Sequence, residues 1–141
     1  MRLRTWVLLV LAILSVPLLA DWAVARSRLG DFVIEASFDP SAVVADGKNG
    51  VTLDIRVTEN GRPRAHDLVQ CWIQDGAGLL IPSWLYTDDN GVGHSTYTPN
   101  PYSVYDPQDG AVIVVSDVSL GRLVEVDKRC TATVKLVAPN Q

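Results

Sequence analysis

Residues Val51-Thr-Leu-Asp-Ile-Arg-Val-Thr58 alternate apolar and polar side chains without a fault. In an extended chain successive side chains point to opposite faces. Val51, Leu53, Ile55 and Val57 therefore form one apolar row, and Thr52, Asp54, Arg56 and Thr58 a polar one. A strand of this kind must bury one face against a second layer. No stretch after residue 30 has the spacing of an amphipathic helix that would supply one. The second layer must be another sheet.

Six further stretches read as strands. They are Asp31–Phe38, Leu68–Gln74, the irregular Gly76–Tyr86, His94–Thr98, the apolar run Ala111–Val115 and Cys130–Val137. Proline and glycine punctuate them. Asp39-Pro40 ends the first, because proline removes a ladder donor, and Pro82 assigns its stretch to a sheet edge. Ala45–Gly50, Asn60-Gly61-Arg62-Pro63 and Thr87–Gly93 are turns, the last held by Asx side chains. Tyr102–Gly110 is the longest irregular connection, and Asp117–Arg129 reads as a charged, mobile one. The expectation is an all-β antiparallel sandwich of about seven strands over residues 31–141.

Ahead of it, Trp6–Ala20 runs for fifteen residues without a charge, and only Asp21 interrupts the apolar character before Ala25. Two readings of residues 1–30 stand. Ala23-Val24-Ala25 suits a signal peptidase cleft, which would release the domain after Ala25. Alternatively the segment is retained as a transmembrane signal-anchor, since Trp6 to Ala25 at about 1.5 Å per residue spans roughly 30 Å. Trp6 and Trp22 would then lie at opposite interfaces. Pro17 would sit near enough to a helix end to free few backbone groups. Arg2 and Arg4 would keep the N-terminus inside, placing the C-terminal domain in the periplasm or extracellular space. Arg26–Gly30 would be a short polar exit, tethering the domain close to the bilayer.

Ala45-Asp46-Gly47, Val51-Thr52-Leu53, Val57-Thr58, Asn60-Gly61-Arg62-Pro63, Thr87-Asp88-Asp89-Asn90-Gly91 and Ala132-Thr133-Val134 together resemble the bacterial Ig-like domains of the invasin and intimin type. The resemblance covers roughly residues 34–137. It implies an Ig-like sandwich working as an extracellular spacer, adhesin or interaction module. The chain departs from that pattern in its single copy, its N-terminal apolar segment and its two cysteines.

Catalytic and metal chemistry find little support. The two histidines, His66 and His94, and the two cysteines show no zinc-ligand spacing, and no serine sits in a nucleophile elbow. Asp88-Asp89-Asn90-Gly91 lacks the spaced oxygens and closing glutamate of a calcium loop. No cofactor or small-molecule substrate is expected. A net charge of −4 leaves nucleic acid no electrostatic footprint.

By parity Cys71 and Cys130 both point inward, which suits either two buried thiols or a disulfide. In an oxidising compartment a bridge closing a loop of about 60 residues would contribute roughly 4 kcal/mol. A third strand between theirs would set them roughly 10 Å apart, beyond bridging range. The disulfide is the expectation carried forward. Trp84, Tyr86, Tyr102 and Tyr105, beside Pro82, Pro99, Pro101 and Pro107, offer stiff aromatic anchors for a protein partner. The alternative is that Trp72 or Trp84 plugs the core. The expected partners are the bilayer and other subunits of a membrane complex, for which this would be an accessory module. The competing reading is a secreted or surface-displayed adhesion or carbohydrate-binding module.

Overall fold

The computed structural model describes residues 3–139. Arg2 and the side chain of Arg4, on which the orientation expectation rests, lie outside the described residues. One helix, α1 (Leu3–Arg28), precedes ten strands: β1 (Phe32–Asp39), β2 (Ala42–Val44), β3 (Val51–Glu59), β4 (Arg62–Pro63), β5 (Leu68–Asp75), β6 (Gly78–Ile81), β7 (Trp84–Tyr86), β8 (Val92–Pro99), β9 (Gly110–Asp117) and β10 (Lys128–Val137).

The strands form two sheets. One has the order β1-β3-β8-β6, with β4 on β3, and the other runs β2-β10-β9-β5-β7. Their facing rows make the core. Phe32, Leu53, Ile55 and Val57 from the first sheet meet Val69, Ile113, Val115 and Val134 from the second, all fully buried. The alternation at 51–58 thus has the predicted parity, and transfer of these rows from water is the main drive for the fold.

Ten strands reduce to the expected seven once two interruptions are understood. At Asp39-Pro40 the first strand leaves one sheet and, as β2, joins the other, where it pairs parallel to β10. At Ile81-Pro82-Ser83 the sixth does the same, passing from β6 on β8 to β7 on β5. Each proline withdraws a ladder donor at the crossing. Both prolines follow cis peptide bonds. Joining these pairs and setting the two-residue β4 aside leaves seven strands. Each lateral edge of the sandwich is therefore one chain segment shared between both sheets.

The turns follow side-chain chemistry. Asp88 Oδ1 accepts the N–H groups of Asn90 and Val92, each at 2.8 Å, and Gly91 takes φ +71°. Asp46 Oδ1 does the same for Lys48 and Asn49.

Three expectations are corrected. Pro17 lies in the middle of α1, and the helix runs through it. The polar exit is not a free linker, because α1 continues to Arg28 and Ala25 is buried in the core cluster. The 117–129 connection is not loose: Asp117, Leu120 and Val126 are all buried. Its buried Leu120 and Val126 join the same core cluster as Ala25.

Candidate functional site

The end of the sandwich nearest α1 carries a linked chain of ion pairs. Arg28, in the last turn of the helix, places Nε 2.5 Å from Oε1 and Nη2 2.8 Å from Oε2 of Glu59, at the end of β3. Glu59 also accepts from Arg64 Nη1 at 3.2 Å. Arg64 in turn grips Asp67 through Nε at 2.8 Å and Nη2 at 2.9 Å, and stacks over Phe32. Arg28 holds Glu59 below the usual carboxylate range, its hydrogen bonds outweighing burial. Lys128 Nζ closes the junction by donating to Leu29 O at 3.2 Å.

A second set of contacts lies lower on the helix. Asp21 Oδ2 accepts the backbone N–H groups of Arg122, Leu123 and Val124 at 2.9, 2.7 and 3.0 Å. Three successive donors converging on one oxygen form an anion nest. The last two turns of α1 are thereby built into the domain at both levels.

Behind the ion-pair chain lies Asp117, fully buried at the end of β9. Its Oδ1 accepts Ser119 N–H at 2.8 Å, and Oδ2 is the one buried side-chain oxygen without a partner among the described residues. Burial, with the Asp67 charge adding to it, pushes this carboxyl up to about 7. With no exposed surface it has no route to a substrate.

The two cysteines stand on either side of one residue. Cys71 on β5 and Cys130 on β10 are both register partners of Val115 on β9. Two strand spacings set their Cα atoms roughly 10 Å apart, beyond the range of a disulfide. Both are free thiols, so the expected bridge is not formed. The inward parity was right, but the order of strands in the sheet decides bonding. Burial pushes Cys71 up to about 12 and Cys130 up to about 11, which leaves both poor nucleophiles.

The four aromatic candidates do not converge. Trp84 and Tyr86 stand exposed on β7, facing outward on either side of the buried Leu85. Tyr102 and Tyr105 lie at the opposite end, where Tyr102 N–H donates to Ala45 O at 2.8 Å and lines a cleft of about 140 Å³. Tyr105 is 96% exposed. Trp72 does not plug the core, since it lies on the outer face of β5, half buried, with Arg129 stacked on it at 5.5 Å. What the aromatic count missed is that Leu79 and Ile81 on β6 are also exposed, at 58% each. With Trp84 and Tyr86 they place four large apolar side chains along one lateral edge. Leu79, Leu80 and Ile81 are all apolar, so the sequence alone does not tell which side chain is buried; only the structure shows Leu80 inside and its two neighbours outside.

His94 Nδ1 lies 2.7 Å from Asp54, and His66 lies 3.2 Å from Asp89, both pairs exposed. Among the described residues no three of His, Cys, Asp and Glu gather into a metal site.

No protein-family model matches the sequence, and no curated protein matches it. Solved structures do. The D00–D0 domains of intimin align with a TM-score of 0.61 at 20% identity, over 75% of this chain and 47% of that one. The D0–D1 domains of intimin give 0.55 at 21%, over 75% and 50%. A C-terminal fragment of intimin, in complex with the intimin-binding domain of the translocated intimin receptor, gives 0.57 at 22%, over 74% and 33%. The chain thus spans half or less of each intimin fragment. The likeness is one of fold: the ten strands form an Ig-like sandwich of the intimin kind, as the sequence resemblance implied.

Proposed function

We propose that this chain is a non-catalytic, membrane-anchored Ig-like module, with residues 1–30 as retained anchor and exit and 31–141 as the module. It stands on the outer side of the cytoplasmic membrane and serves as an accessory or scaffolding subunit of a larger membrane assembly. The observation that carries this reading is the double attachment of α1 to the sandwich. A segment destined for removal after Ala25 has no reason to give the domain a buried Ala25 and an Asp21 that receives three backbone donors. The helix is apolar over Thr5–Arg28, and the sandwich covers none of its apolar window. Bilayer supplies the missing cover. Anchor and domain joined without slack hold the module at a set position, which raises its effective concentration toward a neighbour in the same membrane.

The open β6–β7 edge, with Leu79, Ile81, Trp84 and Tyr86, is the surface we assign to that neighbour. Aromatic anchors on a rigid edge suit protein recognition. The C-terminal intimin fragment, a third of which matches this fold, is itself found in complex with a receptor domain. Sealed Asp117 and unreactive thiols favour a binding role over chemistry.

Extraction in mild detergent followed by native mass spectrometry tests the reading. The chain is expected to keep α1 and to leave the membrane with other subunits. A mature protein beginning at Arg26, or a lone monomer in mild detergent, would favour the released adhesion module instead.

A further inference from the structure

The geometry around Asp21 points to a second membrane contact, and this inference rests on the retained-anchor reading above. At about 1.5 Å per residue, the twenty residues from Thr5 to Val24 match a hydrocarbon layer of about 30 Å. Asp21 then lies about 4.5 Å inside the outer boundary, three residues short of Val24. The loop at 120–125 reaches down the helix to that level, since the N–H groups of Arg122, Leu123 and Val124 all end on Asp21 Oδ2.

Neither partner tolerates this depth alone. A bare carboxylate is costly there, and unpaired backbone donors are costly as well. Paired, each removes the other's cost. The turn is shaped for the purpose, because a Cβ at Gly121 would lie 1.8 Å from Val124 O and 3.3 Å from Asp21 Oδ2. At its tip Leu123 is 61% exposed, although both ends of the segment are packed through Leu120 and Val126. Trp22, next to Asp21 on the helix, is also exposed and carries Arg26 stacked at 5.5 Å, an arrangement suited to a headgroup layer. We propose that Leu123 seats at the outer hydrocarbon–headgroup boundary of a phospholipid bilayer, beside Trp22, so that the sandwich touches the membrane through a loop as well as through its anchor.

The test uses the full chain in phosphatidylcholine–phosphatidylglycerol vesicles, with Cys71→Ala and Cys130→Ala removing native thiols. A nitrobenzoxadiazole probe is placed at Leu123→Cys, at Val16→Cys on the helix, or at Tyr105→Cys at the far end of the sandwich. The probe at 123 is expected to be quenched by shallow doxyl-lipid and protected from iodide, whereas the probe at 105 shows the reverse. Adding Asp21→Ala should expose position 123 to iodide. Lipid quenching at 16 with free iodide access at 123 would overturn the loop contact and leave the anchor standing. Loss of lipid quenching at both 16 and 123 would overturn both readings.

Discussion

Arg28 closes the helix by gripping Glu59 with two parallel hydrogen bonds of 2.5 and 2.8 Å, and this pair ties the last turn of α1 to the end of β3. The glutamate side chain is only 17% exposed, so the pair is better shielded than an ordinary surface bridge. Glu59→Gln keeps the shape and removes the charge. We expect it to cost about 1–2 kcal/mol by denaturant unfolding in detergent. Because Arg28 lowers the folded-state value of Glu59, the pair stabilises above the unfolded carboxylate range and fades as pH falls through the lower folded value. The Gln variant should differ from the parent at neutral pH and converge on it in acid.

Asp117 has the opposite sign. Its folded value is raised from 3.8 to about 7, so the neutral form is the one the fold prefers. Its stabilisation is complete below about pH 4 and is lost as pH rises toward about 7, at roughly 1.4 kcal/mol per unit. Asp117→Asn imitates the neutral form and can still accept the Ser119 N–H. Its stability advantage over the parent should be absent at pH 4, grow to pH 7 and then level off. A constant difference across that range would mean that the buried carboxyl does not titrate as described.

Most of the strand content could be read from the chain because alternation is a local property. Val51–Thr58 and Leu68–Gln74 show their faces in their own residues. Sheet order is not local. Nothing near Cys71 or Cys130 reveals that β9 lies between them, and only that fact separates two thiols from a bridge. Pro40 and Pro82 announced lost donors but not the change of sheet that each accompanies. Asp21 reads in the sequence only as an interruption of the apolar run, because its three donors lie about a hundred positions along the chain. Leu120 and Val126 lie in a stretch whose charges mark it as a connection, while the core they join is drawn from residues distant in sequence.

The cysteine geometry is checked by alkylation. Iodoacetamide added to unfolded, unreduced protein should modify both Cys71 and Cys130. In the folded protein Cys71, buried and shifted to about 12, should resist modification at pH 8. A single mass corresponding to unmodified protein after unfolding without reductant would restore the bridge and require a different strand order.

Gly91 is a demanding position in the backbone. At φ +71° a Cβ would lie 2.5 Å from Val57 O and 2.8 Å from Arg64 N, both backbone atoms with little room to retreat. Gly91→Ala should therefore cost about 2–3 kcal/mol, combining the left-handed penalty with displacement of the β3–β4 turn. Gly61, also left-handed at φ +73° but with open space at its Cβ position, should lose only about 1 kcal/mol on the same substitution. Paired unfolding curves of the two variants separate steric crowding from backbone preference. Equal losses would show that crowding at Gly91 relaxes freely.

The β6–β7 edge separates recognition from stability. Leu79, Ile81, Trp84 and Tyr86 point away from a core filled by Leu80 and Leu85, so charges placed there should leave the fold intact. An edge strand also carries unpaired backbone groups, which natural sheets usually guard with charge or proline. Here Pro82 guards only the crossing, and the flanking side chains are apolar. On the proposed reading, a partner's own strand or apolar surface completes this edge. Ile81→Lys with Trp84→Glu should change the unfolding free energy by less than about 0.5 kcal/mol, the range usual for exposed sites. The same variant should abolish co-extraction of other subunits. Tyr102→Glu with Tyr105→Lys, at the opposite end, should leave co-extraction unchanged. If the distal pair abolished assembly and the edge pair did not, the partner would dock on the 100–109 loop and the lateral edge would be free.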